Sequence, residues 1–267
     1  MREFTNLGWP LTPFGADKRA FPKQVFLFAA TAVQWADDGD RAVPMAAGMV
    51  YLPVHRTRTQ QLDPATFHFG YRALALTGEA DAPAIAEAVD GHLVQARRHA
   101  LAVAAHDYLD DAAGLLHWTS VHTAGISSVA DAWKARAERE RGTALLVDTA
   151  HDLIPREPKL SLACEVHGLT VAEGHGGLPL LLDAQAAYDR IIDTDSPLAD
   201  DVRESTAQAL AHGAVYQALA VVLLAAKANG RVTWDARFPV STVMDAVTWD
   251  VFSHVRSAPQ PASAPQQ

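Results

Sequence analysis

Acidic residues and histidines in two parts of this chain are the side chains best suited to chemistry. His106, Asp107, Asp110 and Asp111 lie close together, and His212 lies far along the chain in an apolar segment. Carboxylates bind divalent cations, and histidine accepts a proton from water near neutral pH. These residue types indicate metal-assisted hydrolysis, provided that the fold brings the two parts together.

The hydrophobic pattern predicts an α/β domain with a mixed sheet. Residues 25–33, 45–54 and 67–71 have the composition of strands, and the short turns between them indicate antiparallel pairing. Two further strands, at 100–105 and 143–147, alternate with helices, as the strands of a parallel sheet do. Helices are expected at 81–93, 108–116, 130–141, 159–166, 206–228 and 244–254. The predicted class is three antiparallel strands followed by parallel strands, flanked by helices.

Both ends of the chain and one internal segment are predicted to be additions to this domain. Prolines and aromatic residues in 1–22 indicate an extended arm with no regular element of its own. Residues 23–230 would form the domain, with an irregular insertion at about 170–205. Residues 231–256 would be a C-terminal extension. The low-complexity residues 257–267 are expected to be a disordered tail.

The composition is that of an ordinary globular protein with an acidic balance. Of 267 residues, 49% are hydrophobic, and 22 lysines and arginines face 31 aspartates and glutamates, for a formal charge of −9. This balance argues against a dedicated electrostatic nucleic-acid binder but leaves room for a local basic groove. The single cysteine, Cys164, excludes an internal disulfide and fits a reducing compartment. We expect it to be a buried thiol.

The sequence favours a cytoplasmic location. The first residues lack a charged head followed by an apolar stretch. The longest apolar run, at 218–226, is shorter than the roughly 20 residues that span a bilayer. We therefore expect a soluble cytoplasmic protein without membrane contact. The abundance of Ala, Arg, Asp and Gly is consistent with a high-GC bacterial genome.

Several short segments follow one another in the order of a known family. Residues 103–111, Val-Ala-Ala-His-Asp-Tyr-Leu-Asp-Asp, are similar to a motif His-Asn-x-x-Phe-Asp. Residues 145–149, Leu-Leu-Val-Asp-Thr, are similar to a strand that ends in Asp-Thr. Residues 211–218 are similar to a motif in which a histidine precedes an aspartate by five positions. Over roughly residues 22–228 the chain thus resembles the DnaQ-like (DEDDh) 3′–5′ exonuclease family, which has a ribonuclease H-like fold.

The resemblance implies a particular site and shows what this chain lacks there. In the family, four carboxylates hold two metal ions and a histidine activates the attacking water. The corresponding positions here are Ala29, Thr31, Asp111 and Gln217, with His212 at the general-base position. One carboxylate in four cannot hold two divalent ions close together. We therefore expect hydrolytic activity to be lost and no cofactor to be needed, with Mg²⁺ or Mn²⁺ required only if activity persists.

This expectation does not depend on the details of the alignment. No acid occurs between Gln24 and Ala36, and none occurs between Thr206 and Ala228. Structural explanations also exist for the residues that remain. The acids at 107–111 could simply begin a helix, where they favour the helix dipole, and His212 could be an ordinary core histidine. Asp148, at the end of a predicted strand, is expected to cap the next turn.

Three functions are open at this point. We favour a catalytically degenerate exonuclease-like protein that acts as a nucleic-acid-binding or protein-interaction module. The second is an active metal-dependent 3′–5′ exonuclease with substitute ligands beside Asp111, and the third is small-molecule chemistry that uses His106 and His212. The candidate substitute ligands are Asp38, Asp40, Asp107 and Asp110. The oligomeric state is open too; residues 218–226 and the aromatic arm could contribute to a homodimer.

Overall fold

The computed structural model describes residues 1–7, 23–119, 123–136, 144–170, 184–192 and 200–245. Within these residues the chain forms ten strands: β1 Arg2–Thr5, β2 Val25–Asp37, β3 Ala42–His55, β4 Gln60–Gln61, β5 Gly70–Ala75, β6 Ala100–Ala105, β7 Leu145–Asp148, β8 Leu169–Thr170, β9 Val232–Thr233 and β10 Phe238–Pro239. The same residues form seven α-helices: α1 Ala82–His99, α2 Tyr108–Leu116, α3 Ile126–Lys134, α4 Leu160–Val166, α5 Ala184–Ile192, α6 Asp200–Ala228 and α7 Val240–Asp245.

A six-stranded mixed sheet forms the centre of the fold, with the order β1-β5-β3-β2-β6-β7. Strand β3 pairs antiparallel with both β2 and β5, and β1 adds antiparallel to the outer side of β5. On the other side of β2, β6 lies parallel to it and β7 lies parallel to β6. The predicted α/β class, with an antiparallel and a parallel half flanked by helices, is therefore confirmed.

Helices cover both faces of the central strands. The sequences of β2 and β3 are nearly uninterrupted apolar runs and are buried along most of their length, as strands with two covered faces require. On one face, the ring of His92 in α1 contacts the ring of Tyr51 in β3, with 4.9 Å between centroids. On the opposite face, α6 lies against β3 at Gly48.

The contact between Gly48 and α6 joins backbone to backbone. A Cβ atom at Gly48 would lie 2.2 Å from the carbonyl oxygen of Ala214 and 2.5 Å from the backbone nitrogen of Val215. Only a residue without a side chain lets a helix and a strand approach this closely. The middle of α6 therefore rests directly on the sheet.

Helix α6 supplies a large part of the core. Its residues from 218 to 226 are all buried. This segment is therefore occupied inside the protein, which removes the support for a homodimer contact through it. By length and composition, Val202–Ala228 could also cross a membrane, but 83% of its apolar window is buried within the protein, so it is weak evidence for a span.

Two predictions about the first half of the chain are wrong in detail. Residues Arg2–Thr5 form an edge strand because their backbone pairs with β5, whereas an arm without a regular element was expected. The alternating aromatic residues near 67–71 mostly precede a strand, since β5 begins at Gly70. The ring of Phe67 instead contacts that of Phe238, with 5.4 Å between centroids. Residues 8–22 lie outside the described part of the chain.

The second half also differs from the predicted pattern. The segment expected to be irregular contains α5, and α6 begins at Asp200, before its predicted start. The last helix, α7, begins at Val240 instead of 244. Cys164 in α4 is buried as predicted, and burial raises the pKa of its thiol to about 12. The remaining predicted segments, 171–183, 193–199 and 246–267, lie outside the described residues.

Replacing Gly48 by alanine tests the approach of α6 to the sheet. The added methyl group would overlap the backbone at Ala214, so we expect the free energy of unfolding to fall by about 1–3 kcal/mol. Gly91 is the matched control, because its added Cβ meets nothing within 4 Å. Gly91→Ala in α1 should raise stability by up to about 1 kcal/mol. Urea unfolding measures both variants, and wild-type stability in Gly48→Ala would contradict the close contact.

Candidate functional site

The predicted acids lie at the carboxyl ends of two neighbouring parallel strands. Strand β6 ends at Ala105 and β7 ends at Asp148, and these two residues are paired in the sheet. The chain continues from β6 into His106 and Asp107, and from β7 into Thr149. Ligands of open α/β sheets commonly bind at this edge. The edge is therefore the candidate site.

Asp148 holds this edge together from the interior. It is only 2% exposed, and its Oδ1 accepts hydrogen bonds from the backbone N–H groups of Asp107, at 3.1 Å, and Ala150, at 3.0 Å. Its Oδ2 accepts a bond of 3.2 Å from Trp133 Nε1 in α3. Both carboxylate oxygens are thus engaged in contacts that join β7 to the start of α2 and to α3. These contacts give Asp148 a structural role.

Both ring nitrogens of His106 have partners. Nε2 lies 3.0 Å from the carbonyl oxygen of Pro158, and Nδ1 lies 3.0 Å from Thr149 Oγ1. A carbonyl oxygen can only accept, so Nε2 carries a hydrogen. The Thr149 hydroxyl has one hydrogen and also lies 3.2 Å from the carbonyl oxygen of Ala105, so it can donate either to that oxygen or to Nδ1. His106 therefore ties the segment before α4 to the strand ends, and both nitrogens are already used.

Asp107 is an exposed acid in an unusual backbone conformation. Its φ of 60° and ψ of 53° place it in the left-handed region, which non-glycine residues adopt uncommonly. Partial burial, followed by repulsion from Asp110 and Asp148, raises the pKa of the Asp107 carboxyl, and His151 opposes this rise. The distance from His151 Nε2 to Asp107 Oδ1 is 3.9 Å.

Asp107, Asp148 and His151 together could hold a cation. One ligand atom from each lies within 4.8 Å of the others. Two carboxylate oxygens and one imidazole nitrogen suit Mn²⁺ or Zn²⁺ better than Mg²⁺, which prefers oxygen ligands. However, the oxygens of Asp148 are already bonded, and an exposed Asp–His pair is also an ordinary surface ion pair. Sequence reasoning missed His151, whose only signal is its position three residues after Asp148.

Asp111 bonds to the central strand β2. Its Oδ1 accepts a hydrogen bond of 2.8 Å from Trp35 Nε1. Burial of the carboxyl group raises the pKa of Asp111 to about 7 against the lowering effect of the Trp35 bond, and Asp107 and Asp110 add to the rise. A carboxyl group that is partly protonated at neutral pH and already paired is a poor ligand for Mg²⁺. Asp110 itself is exposed.

Three of the four positions that the resemblance assigns to metal ligands are divided between the two faces of the sheet. Ala29 is paired with Tyr51, whose ring packs against α1, and Thr31 follows on the same face of the sheet. Gln217 and His212 belong to α6, which lies on the opposite face. The alternation of side chains thus places Ala29 and Thr31 on the face of the sheet that α1 covers. The β2 residues that share the α6 face are the buried, apolar Phe28, Ala30 and Ala32, the last of them paired with Gly48.

The two candidate histidines have different neighbours. Burial lowers the pKa of His212, and the carboxylate of Asp245 in α7 opposes this effect. His106 is instead bonded to Thr149 and to the backbone of Pro158. Small-molecule chemistry that uses both histidines stays a prediction.

Asp38 and Asp40 lie in the turn between β2 and β3. Asp38 Oδ1 accepts hydrogen bonds from the backbone N–H groups of Arg41, at 2.8 Å, and Asp40, at 3.0 Å. These bonds, the one from Arg41 first, hold the pKa of Asp38 below its usual value. The Arg41 side chain also pairs with Asp38 and Glu79. Asp38 is therefore explained by the geometry of the turn.

A surface cleft of about 150 Å³ lies elsewhere, between the end of β3 and residues 60–68. The predicted site residues are not among those that line it.

In comparisons with known proteins, no family model, no curated protein and no solved structure matches this chain. The candidate site is therefore defined by its geometry.

Asparagine at position 148 tests the structural role of this carboxylate. Asparagine would aim an N–H group at either the backbone donors or Trp133 Nε1, which are donors themselves. We therefore expect the free energy of unfolding to fall by about 1–3 kcal/mol. Asp110→Asn is the control, and its effect should stay within about 0.5 kcal/mol because Asp110 is exposed. In a Trp133→Phe background, chemical denaturation should show that Asp148→Asn lowers the free energy of unfolding by less than it does in the wild type. An unchanged penalty there would argue against the bond to Trp133.

Proposed function

We propose that this chain is an exonuclease-like domain of ribonuclease H-like fold that has lost hydrolytic activity and acts as an interaction module. The contact between β2 and α6 carries the proposal, because the resemblance assigns three of the four metal ligands to these elements. The residues of β2 that face α6 are buried and contain no carboxylate: Phe28, Ala30 and Ala32. The strand order β5-β3-β2-β6-β7 supports the fold assignment.

Close packing of α6 leaves no basis for two-metal hydrolysis at that contact. Gly48 brings the backbone of α6 onto the sheet, and the chain has no acid from Thr206 to Ala228. Two divalent ions repel each other and are held together only where several carboxylates neutralise them. Asp111, the acid that remains, is bonded to Trp35.

A single-stranded nucleic acid is the first partner to test, because the resemblance concerns enzymes that act on the 3′ ends of such strands. The formal charge of −9 gives no general attraction, so binding would rely on a local basic surface. Helix α1 ends in Arg97, Arg98 and His99. Arg97 Nη1 bonds Ser128 Oγ at 3.1 Å, whereas Arg98 and His99 are exposed. This end of α1 is the candidate contact, in a protein that we place in the cytoplasm.

Digestion of a 5′-labelled single-stranded oligonucleotide, as DNA and as RNA, tests the loss of activity. With Mg²⁺ or Mn²⁺ we expect no shortened products. A gel shift with the same oligonucleotides measures binding, and Arg98→Ala should weaken it severalfold while Arg41→Ala, whose side chain pairs with Asp38 and Glu79 elsewhere, should not. Absence of both products and shift would exclude nucleic acid and leave the protein-interaction form of the proposal.

One observation favours a second candidate function, the proximity of Asp107, Asp148 and His151 within 4.8 Å. This candidate is a metal-dependent 3′–5′ exonuclease that uses substitute ligands and Mn²⁺ or Mg²⁺. It predicts a ladder of 3′-shortened products that disappears in Asp107→Asn and persists in Asp131→Asn, where the replaced residue is exposed on α3. Products that are unchanged in Asp107→Asn would come from a contaminating nuclease.

A further inference from the structure

Basic side chains from four parts of the chain lie at one end of the central sheet. The first residues of β2 pair with the last residues of β3, and Leu27 in β2 pairs with Ala100, which directly follows α1. Beyond the end of α6, Arg231 Nη1 donates a hydrogen bond of 3.0 Å to the carbonyl oxygen of Arg56. We call this region the basic end of the sheet and define it by its cations: Lys23, Arg56, Arg58, Arg98 and Arg231.

The cations of the basic end have no acidic partners. Within the described residues none of the five forms an ion pair, whereas Arg41, Arg72 and Arg136 elsewhere in the protein each pair with an acid. The segments that carry the five cations contain no aspartate or glutamate: 23–26, 53–58, 97–100 and 229–233. The positive charge of these segments is therefore not neutralised from within them.

Acids are concentrated at the opposite end of the same strands. Strand β2 ends at Asp37, with Asp38 and Asp40 in the turn that follows, and the chain after β6 carries Asp107 and Asp110. Since β2 has 13 residues, about 40 Å separates its two ends at the usual rise per residue. Charges in water at physiological salt are screened over about 8 Å. The acidic end therefore contributes little to the potential at the basic end, despite the net charge of −9.

Two arginines of the basic end are well suited to bind phosphate. The guanidinium of Arg56 lies over the ring of Phe26, 4.9 Å from its centroid, and Arg58 is exposed. Neither side chain makes a hydrogen bond within the described part of the chain. Both residues lie outside the helices, so the helix dipole does not explain them. Guanidinium groups form paired hydrogen bonds to phosphate and also stack on bases.

We propose that the basic end is a binding surface for a single strand of nucleic acid. The phosphates pair with the exposed cations, and the bases stack on guanidinium planes. An anionic membrane fits less well, because the four segments have no exposed large hydrophobic side chain to enter a bilayer. The inference rests on the nucleic-acid form of the proposed function. It extends the contact at the end of α1 to the whole basic end, away from the acids of the candidate site.

Fluorescence anisotropy of a labelled single strand, titrated with the full chain, tests the surface. We expect binding at low salt, and the slope of log K against log salt should be about −2 to −3, as three or four neutralised phosphates predict. Arg56→Ala combined with Arg58→Ala should weaken binding about tenfold at low salt and make the slope shallower by about 1.4. The salt slope reports on lost phosphate contacts, which a change in stability alone would not alter.

Arg156→Ala combined with Arg190→Ala is the matched control. These two arginines are also exposed and without an ion pair in the described part of the chain, so the change in net charge is the same. Arg156 follows β7, and Arg190 is in α5, which bonds to the far end of β2 at Asp37. The control should bind within about twofold of the wild type. If the Arg56 variant does not fold, as checked by thermal melting, Arg58→Glu decides instead.

Four results would overturn the surface. Wild-type affinity in the double variant would place the nucleic acid elsewhere and leave the nucleic-acid form of the proposed function intact. Equal weakening in the control would mean that net charge alone acts. Failure to bind at low salt would remove nucleic acid as the partner, while the digestion assay still tests the loss of hydrolysis separately. Binding to vesicles of phosphatidylserine and phosphatidylcholine, without binding to the oligonucleotide, would identify a membrane as the partner.

Discussion

The close packing of α6 on the central strands is the contact on which most other features of this protein depend. Gly48 allows the backbone at Ala214 to approach the sheet, and small or apolar residues of β2 line the same face. A carboxylate placed at Ala30 or Ala32 would be buried away from water and from any cation. Hydrolysis by two metal ions would need such carboxylates and an open cleft. Close packing and two-metal hydrolysis thus need different residues at the same contact, and in this chain the contact is closely packed.

The polar residues that remain at the edge of the sheet are mostly engaged in holding it together. Asp148 joins β7 to α2 and α3, and His106 joins the strand ends to the segment before α4. Asp111, to which the resemblance assigns a metal-binding role, is a hydrogen-bond acceptor for Trp35. A residue type at the expected position is therefore insufficient evidence for activity, because its oxygen atoms can already be in use. Asp107 and His151 are the exposed exceptions.

Local sequence signals predicted some elements closely and others poorly. The bounds of α2 and β6 agree with the prediction, since each is a clear apolar or amphipathic segment between polar residues. Helix α3 ends at Lys134, well before the predicted end at 141, and residues 137–143 lie outside the described part of the chain. The aromatic alternation before β5 was misleading because Phe67 packs against Phe238, which is distant in sequence. Such contacts leave no local signal.

The sequence by itself determined two things about this protein. The first is the α/β class, and the second is the absence of acids from β2 as far as Ala36 and from most of α6. Both follow from local composition and hold in any register. Tertiary structure alone decided which face of β2 meets α6, since alternation separates two faces without saying which helix covers each. It likewise decided the state of Asp111. Its partner Trp35 is 76 residues away, and its raised pKa comes from burial by elements that are joined only in the folded protein.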